Sequence, residues 1–181
     1  MILTKSKLNK SVSLAIIIIL AGIIGYFAPH KPIIKQAPAL YKVAEVIDGD
    51  TIKVELNNKI ELVRLLGIDA PEVPNPYKPE ECFGKEASQR TKELLEGKYV
   101  YLIPDPLSSN RDKYGRLLRY VFLPNGLLIN AELIKEGYAF NYIYEPFQFM
   151  KQFDYLEKQA KEKRLGLWGT KCNYYFEVKE K

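Results

Sequence analysis

The sequence predicts a mainly β fold with additional helices, in which a five-stranded barrel is accompanied by three helices. Five short segments rich in branched and aromatic residues are typical of strands, and a helical pattern separates the third from the fourth. This order suits a small closed barrel of the OB type. A third observation, an apolar run near the N-terminus, predicts a transmembrane or signal helix in front of the barrel.

Turn dipeptides delimit the strands. Asp48-Gly49 is a common hairpin dipeptide, and Asn57-Asn58 marks a second turn. A stretch with four prolines, residues 71–79, must be a loop after the third strand. The predicted strands are 41–47, 51–56, 59–66, 99–103 and 117–123.

Helical periodicity and glycine stops place the three helices. The last helix is predicted from apolar residues at intervals of four, three and four, namely Phe149, Phe153, Leu156 and Ala160. Gly97, Gly137 and Gly166 each follow a helical pattern and act as its stop. The predicted helices are 84–96, 129–136 and 147–165.

The N-terminal residues predict a membrane segment. Residues 12–28 carry no charge and follow Lys5, Lys7 and Lys10, which favours an uncleaved anchor with an external domain. A signal peptide that is cleaved, releasing a secreted protein, is the alternative. The predicted organisation is a signal-anchor or transmembrane segment (1–28), a linker (29–40), the barrel domain (41–170) and a C-terminal tail (171–181).

The net charge of +5 does not by itself indicate nucleic-acid binding. Five of the 27 basic residues lie in residues 1–40, which contain no acid, and the remaining 22 equal the 22 acidic residues of the domain. The single histidine, His30, lies in the predicted linker, which excludes a histidine base or a histidine-ligated zinc within the domain. No phosphate-binding glycine motif is present. Any chemistry must therefore use Asp, Glu, Arg, Lys and Tyr.

Three polar clusters could carry that chemistry, and each has a plainer explanation. Asp48–Thr51 could be only a tight turn, and residues 111–116 only a solvated loop. Arg64 lies in an apolar strand, where an unpaired guanidinium is costly, so it requires either a function or a structural salt bridge.

A two-residue turn at 57–58 pairs Thr51 with Arg64 and brings Asp50 next to Arg64. Strict alternation would send Asp50 and Arg64 to opposite faces, so a bulge or a register change is expected.

These clusters closely resemble, in order and spacing, the signature blocks of the staphylococcal nuclease (thermonuclease) family. The resemblance extends from Tyr41 to Trp168. The matching blocks are Asp48-Gly49-Asp50-Thr51, Arg64-Leu65-Leu66 with Asp69, Pro71 and Glu72, Glu81 to Ala87, Asp112-Lys113-Tyr114-Gly115-Arg116, and Gly166-Leu167-Trp168.

The resemblance implies a calcium-dependent nuclease with a defined set of site residues. A calcium-activated water would attack a phosphate that two arginines clamp. Implied calcium ligands are Asp50, Asp69 and the backbone carbonyl of Ala70, where the family usually has threonine. The implied catalytic residues are Arg64, Glu72 and Arg116, and the implied substrate-binding residues are Lys113, Tyr114 and Tyr142, the last only with a one-residue deletion after Gly137.

The resemblance also implies the substrate, namely DNA or RNA, preferably single-stranded, cut with little sequence specificity to leave a 3′-phosphate. A membrane-attached monomer with an extracytoplasmic domain and no protein partner is expected. The alternatives are a non-catalytic module that binds nucleic acid or protein, and a structural surface protein. Cys82 and Cys172 could form a disulfide outside the cytoplasm, or could be two inert thiols.

Overall fold

Five strands close into a barrel in the order β1-β2-β3-β6-β5 in the computed structural model of the chain, which describes residues 39–74, 81–172 and 174. The described elements are β1 (Leu40–Val46), β2 (Thr51–Leu56), β3 (Lys59–Leu65), β4 (Ile68–Asp69), α1 (Gly84–Leu95), β5 (Tyr99–Ile103), β6 (Leu117–Phe122), α2 (Ile129–Lys135), β7 (Phe140–Asn141), α3 (Met150–Glu162) and a 3₁₀ turn (Gly166–Trp168). The mainly β barrel with three helices predicted from sequence is confirmed.

The pairing of β2 with β3 has the predicted register. Leu56 pairs with Lys59 and Thr51 with Arg64. Asn57 and Asn58 form the connecting turn with φ values of 52° and 61°, the left-handed conformation that a two-residue hairpin loop requires. Alternate side chains of these strands therefore point into the barrel, where Ile52, Val54 and Val63 have no exposed surface.

The expectation of a bulge or a register change between Asp50 and Arg64 is wrong. The pairing of β2 with β3 is regular, and the irregularity of the sheet lies in β1, between Val43 and Glu45. Asp50 precedes β2 and lies in a bend, where its N–H donates to the carboxylate of Asp48 (3.0 Å). Side-chain alternation applies only to regular strand residues, so the bend leaves Asp50 able to turn towards Arg64.

Parallel pairing of β3 with β6 closes the barrel on the side of the polar clusters. Val63 pairs with Leu117 and Leu65 with Arg119, while β5 pairs with β1 to complete the ring. Because β6 begins at Leu117 beside the end of β3, the loop before β6 is brought next to Arg64. The topology thus places residues 111–116 beside the second cluster.

The helices pack outside the barrel, and their ends differ slightly from the predicted ones. The third helix begins at Met150, not at Phe147, and ends at Glu162. α2 and α3 meet where Gly137 lies against the backbone of Leu165 and Gly166, with the N–H of Leu167 donating to the Gly137 carbonyl (2.9 Å). Two short strands that the sequence did not indicate, β4 and β7, pair next to this contact.

The predicted N-terminal membrane segment and most of the linker lie outside the described residues. Among the residues that are described, no helix has both the length and the apolar character that a bilayer crossing requires.

Candidate active site

Three separate stretches of the chain converge on Arg64. Asp50 comes from the bend before β2, Asp69 from the end of β4, and Arg116 from the loop before β6. The guanidinium of Arg64 contacts the Asp50 carboxylate through Nη1 and donates from Nη2 to Oδ1 of Asp69 (2.7 Å). One largely buried cation therefore bridges the two carboxylates that the family resemblance implies as metal ligands.

Asp50 is held by further hydrogen bonds that fix its carboxylate. Oδ2 accepts from the backbone N–H of Ala70 (2.7 Å), and Oδ1 accepts from the hydroxyl of Thr51 (3.0 Å). Only about a twentieth of Asp50 is exposed. A buried carboxylate with donors on both oxygens is fixed in direction, as a ligand or counter-ion must be.

Arg116 is positioned by its own loop. Its Nε donates to Oδ2 of Asp112 (2.7 Å), its backbone N–H donates to Oδ1 of the same carboxylate (3.0 Å), and its Nη1 donates to the Thr51 hydroxyl (3.3 Å). Thr51 thus connects Arg116 to Asp50.

Burial lowers the pKa of Arg64, and the positive charge of Arg116 acts in the same direction while Asp69 opposes it. The positive charge of Arg116 therefore repels that of Arg64.

Both arginines line one open cleft of about 350 Å³. Lys113, Tyr114 and Tyr142, the predicted substrate-binding residues, line the same cleft. The centre of the Tyr114 ring lies 5.0 Å from Nζ of Lys113 and 5.5 Å from the guanidinium carbon of Arg116. Tyr114 is largely exposed to solvent. The cleft therefore combines cationic groups with aromatic rings, of which Tyr114 is exposed, a combination suited to nucleic-acid backbone and bases.

Glu72 does not line this cleft. Its backbone forms two hydrogen bonds with Glu81, and its charge contributes to raising the pKa of Asp48. Burial is the larger cause of that raised pKa, and Arg64 acts against it. The charges of Glu72 and Arg64 therefore act on the pKa of Asp48 in opposite directions.

The residues around Arg64 fit a hard cation. Asp50 and Asp69 converge on the same positive group, and the backbone of Ala70 lies against Asp50. Calcium prefers several such oxygen ligands. Within residues 39–74 and 81–172, no group of three His, Cys, Asp or Glu side chains is arranged to hold a metal. The proposed set uses two carboxylates and one carbonyl.

Cys82 and Cys172 are joined by a disulfide, with their Cα atoms 5.8 Å apart. Cys82 lies just before α1, and Cys172 lies just beyond the 3₁₀ turn. The bond therefore connects the segment next to Glu72 with the C-terminal end of the described chain.

Sequence reasoning placed three supporting residues in its polar clusters but assigned them no role in the site. Asp48 was explained as a turn residue, although it lies close to Arg64 and Glu72. Asp112 and Thr51 hold Arg116. The predicted pairing of Thr51 with Arg64 was a signal for Thr51, because it placed the hydroxyl beside the arginine. Asp112 gave no such signal, since its contacts depend on how the loop folds.

The chain matches the model of the family described as staphylococcal nuclease homologue over residues 62–170. It is 38% identical to the thermonuclease of Staphylococcus hyicus over 131 residues, 72% of this chain and 76% of that protein. It is 35% identical to the thermonuclease of Staphylococcus intermedius over 167 residues, 90% of this chain and 98% of that protein. Endonuclease YncB of Bacillus subtilis is 43% identical over 125 residues, 68% of this chain but only 58% of YncB. The chain belongs to the staphylococcal nuclease homologue family.

Proposed function

We propose that this protein is a nuclease that hydrolyses phosphodiester bonds in DNA or RNA. The observation that carries the proposal is the convergence of Arg64 and Arg116 on one cleft, with Asp50 and Asp69 against Arg64. The names of the relatives, thermonuclease and endonuclease, agree with it. A phosphodiester is anionic, so a catalyst must neutralise the charge that grows as the bond breaks.

The two arginines would clamp the scissile phosphate. A planar guanidinium donates paired hydrogen bonds to phosphate oxygens and remains charged at any working pH. Arg116 is held in place by Asp112 and Thr51 and faces the cleft. Arg64 is paired with Asp50 and Asp69, and it becomes available to the phosphate when another cation satisfies those carboxylates.

Calcium is the cation that we propose, held by Asp50, Asp69 and the carbonyl of Ala70. When bound, it would supply Lewis acidity and positive charge beside the phosphate. The two carboxylates already meet around one positive group, so the ion would replace part of an existing interaction.

Glu72 is proposed as the general base that orients the attacking water and takes its proton. A carboxylate three residues beyond Asp69 can serve this role without a histidine. The remaining cleft residues would bind the substrate on either side of the scissile bond. Lys113 and Tyr114 would hold a neighbouring phosphate, and Tyr142 would stack on a base. Phosphate clamps and stacking do not read base edges, so cleavage should be nearly indifferent to sequence and should favour single strands.

An extracytoplasmic domain attached to the membrane through residues 12–28 remains part of the proposal. The disulfide between Cys82 and Cys172 supports an oxidising location, because such bonds persist outside the cytoplasm.

The test is cleavage of an end-labelled single-stranded DNA of mixed sequence by the purified full-length chain, with calcium or with an excess of chelator. We expect cleavage in calcium and none in chelator. The double variant Arg64→Ala/Arg116→Ala, purified identically, controls for contaminating nucleases and should be inactive.

Each contrary outcome has a specific meaning. Equal activity in the double variant would contradict the arginine clamp, and full activity under chelation would contradict the calcium site. Binding of the oligonucleotide without cleavage under any divalent cation would favour a non-catalytic module.

A further inference from the structure

The segment 81–84 holds the backbone of Glu72. The N–H of Glu72 donates to Oε2 of Glu81 (3.0 Å), and the N–H of Glu81 donates to the carbonyl of Glu72 (3.0 Å). Gly84 completes the contact, because a Cβ at this position would lie 2.2 Å from the Glu72 carbonyl oxygen. Glu72 is therefore fixed against one short segment at the start of α1.

The same segment is fastened to the C-terminal end of the domain. Cys82 is bonded to Cys172, the carbonyl of Cys82 accepts a hydrogen bond from the Tyr174 hydroxyl (3.2 Å), and Lys171 forms an ion pair with Glu86. We call these three connections the C-terminal brace. Cys82 and Cys172 are 90 residues apart in the sequence, so the brace attaches residues 82–86 to a distant part of the chain.

The C-terminal side of the brace has a rigid base. Cys172 is 3% exposed, and the neighbouring Trp168 is 2% exposed. Trp168 packs edge-on against Phe140 at 5.3 Å, while the N–H of Leu167 donates to the carbonyl of Gly137 (2.9 Å). Because this base is buried and hydrogen-bonded, the disulfide transmits a fixed position to Cys82.

We propose that the C-terminal brace positions Glu72 for catalysis, which makes Glu81 and the Cys82–Cys172 disulfide positioning elements of the active site. The proposal rests on the proposed nuclease function and on the role of Glu72 in it. A general base must lie within hydrogen-bond reach of the water that it deprotonates. A displacement of about 1 Å can lower a rate by about 10²-fold, so the brace would act on turnover more than on substrate binding.

The brace also makes turnover sensitive to reduction. A dithiol such as dithiothreitol would supply two electrons and two protons, breaking the sulfur–sulfur bond to give the thiols of Cys82 and Cys172 and itself becoming a cyclic disulfide. The two connections that remain, the hydrogen bond from Tyr174 and the surface ion pair of Lys171 with Glu86, are too weak to hold the segment without the disulfide.

The first experiment compares the full-length chain, oxidised or reduced, with Cys172→Ser, which removes the disulfide of the brace without changing residues 81–84. With saturating calcium, we expect reduction and Cys172→Ser each to lower kcat about 10- to 100-fold, with KM changed by less than about threefold. Dithiothreitol should have no further effect on Cys172→Ser. Circular dichroism at the assay temperature establishes that each form is folded.

The second experiment does not depend on the disulfide. Glu81→Ala removes the acceptor for the Glu72 N–H, whereas Glu81→Gln keeps a side-chain oxygen that can accept this hydrogen bond. We expect Glu81→Ala to lower kcat about 10-fold or more and Glu81→Gln to restore most of it. Glu93→Ala, at an exposed position of α1, is the control and should leave kcat unchanged.

The outcomes separate this inference from the proposed function. If the oxidised protein cleaves DNA but reduction, Cys172→Ser and Glu81→Ala all leave kcat unchanged, the brace does not position Glu72 and only this inference fails. An oxidised, folded protein without any cleavage would instead reject the nuclease function. A loss that appears only in KM would place the brace in substrate binding and overturn the inference.

Discussion

Asp50 and Arg64 form an ion pair whose side chains are only 7% and 14% exposed. Arg64 also pairs with Asp69, so its guanidinium takes the position between carboxylates where the proposed calcium would carry its charge. The arginine and the proposed calcium would therefore compete for the same two carboxylates. This competition predicts a result that a simple phosphate clamp would not give.

Arg64→Ala should lower kcat about 10³-fold, by analogy with arginines that stabilise phosphoryl transfer. The same substitution should tighten calcium binding several-fold, because it removes the competing cation. Rates on single-stranded DNA and calorimetric titration of calcium would measure the two effects. The matched variant is Arg116→Ala, whose arginine pairs with Asp112 and not with the proposed ligands. It should lose activity with unchanged calcium affinity, and weaker calcium binding by Arg64→Ala would contradict the prediction.

Glu72→Gln should lower kcat about 10²- to 10⁴-fold, since the amide cannot accept the proton of the attacking water. KM should change little, because Glu72 does not line the substrate cleft. Steady-state kinetics with calcium would measure both constants. Glu93→Gln removes a charge from an exposed site and should behave as the parent protein. Turnover within about threefold of the parent for Glu72→Gln would remove the assignment as a base.

Asp105 predicts a pH-dependent contribution to stability. Burial alone would raise its pKa, but hydrogen bonds from the Gln148 N–H (2.7 Å), the Tyr120 hydroxyl and the Leu107 N–H (2.7 Å) outweigh burial and lower it. Its folded pKa is thus below the unfolded value of about 3.9. The carboxylate therefore stabilises the fold above that pH, and its contribution is lost as the pH falls through the folded pKa.

Asp105→Asn should cost about 2 to 3 kcal/mol of unfolding free energy at pH 7, as expected for hydrogen bonds to a charged group. The penalty should shrink below about pH 4, where the parent protein loses the same contribution. Urea unfolding at both pH values would measure it. Asp154→Asn, in a surface pair with Lys158, should cost less than about 1 kcal/mol at either pH. A penalty that does not depend on pH would show that charge is not the cause.

Gly137→Ala should destabilise the contact between the ends of α2 and α3. Gly137 has φ of +79°, and a Cβ there would lie 2.4 Å from the carbonyl oxygen of Leu165. Gly126→Ala is a matched control, because Gly126 has φ of +88° but open space around its Cβ position. Both should lose about 1 to 2 kcal/mol from backbone strain. Gly137→Ala should lose about 1 to 3 kcal/mol more from the clash, and equal losses by denaturant unfolding would contradict this contact.

Local patterns in the sequence predicted most of the barrel. Strand alternation and the Asn57-Asn58 turn fixed the pairing of Thr51 with Arg64, which the structure has. The two short strands β4 and β7 were not predictable, since each has only two residues and forms by docking of distant segments. The third helix was predicted to begin at Phe147, two residues before the periodic residues that start at Phe149. In the structure Phe147 packs on Phe153 from the preceding loop and lines the cleft.

The site was predictable as a set of residues but not as a network. Arg64 was singled out because an arginine in an apolar strand needs a partner, and the structure supplies Asp50 and Asp69. The bend that turns Asp50 towards it depends on the Asp48 side chain, which no periodicity describes. Contacts such as Asp112 with Arg116 arise within one loop and require its three-dimensional course.

The disulfide between Cys82 and Cys172 closes a covalent ring. This ring contains the loop residues 111–116 and the three helices. A single proteolytic cut at any peptide bond between these cysteines would leave the fragments attached to each other. The nicked protein would migrate as one species on a gel without reductant and separate only after reduction. Residues 111–116 would therefore remain attached to the rest of the domain after a first cleavage.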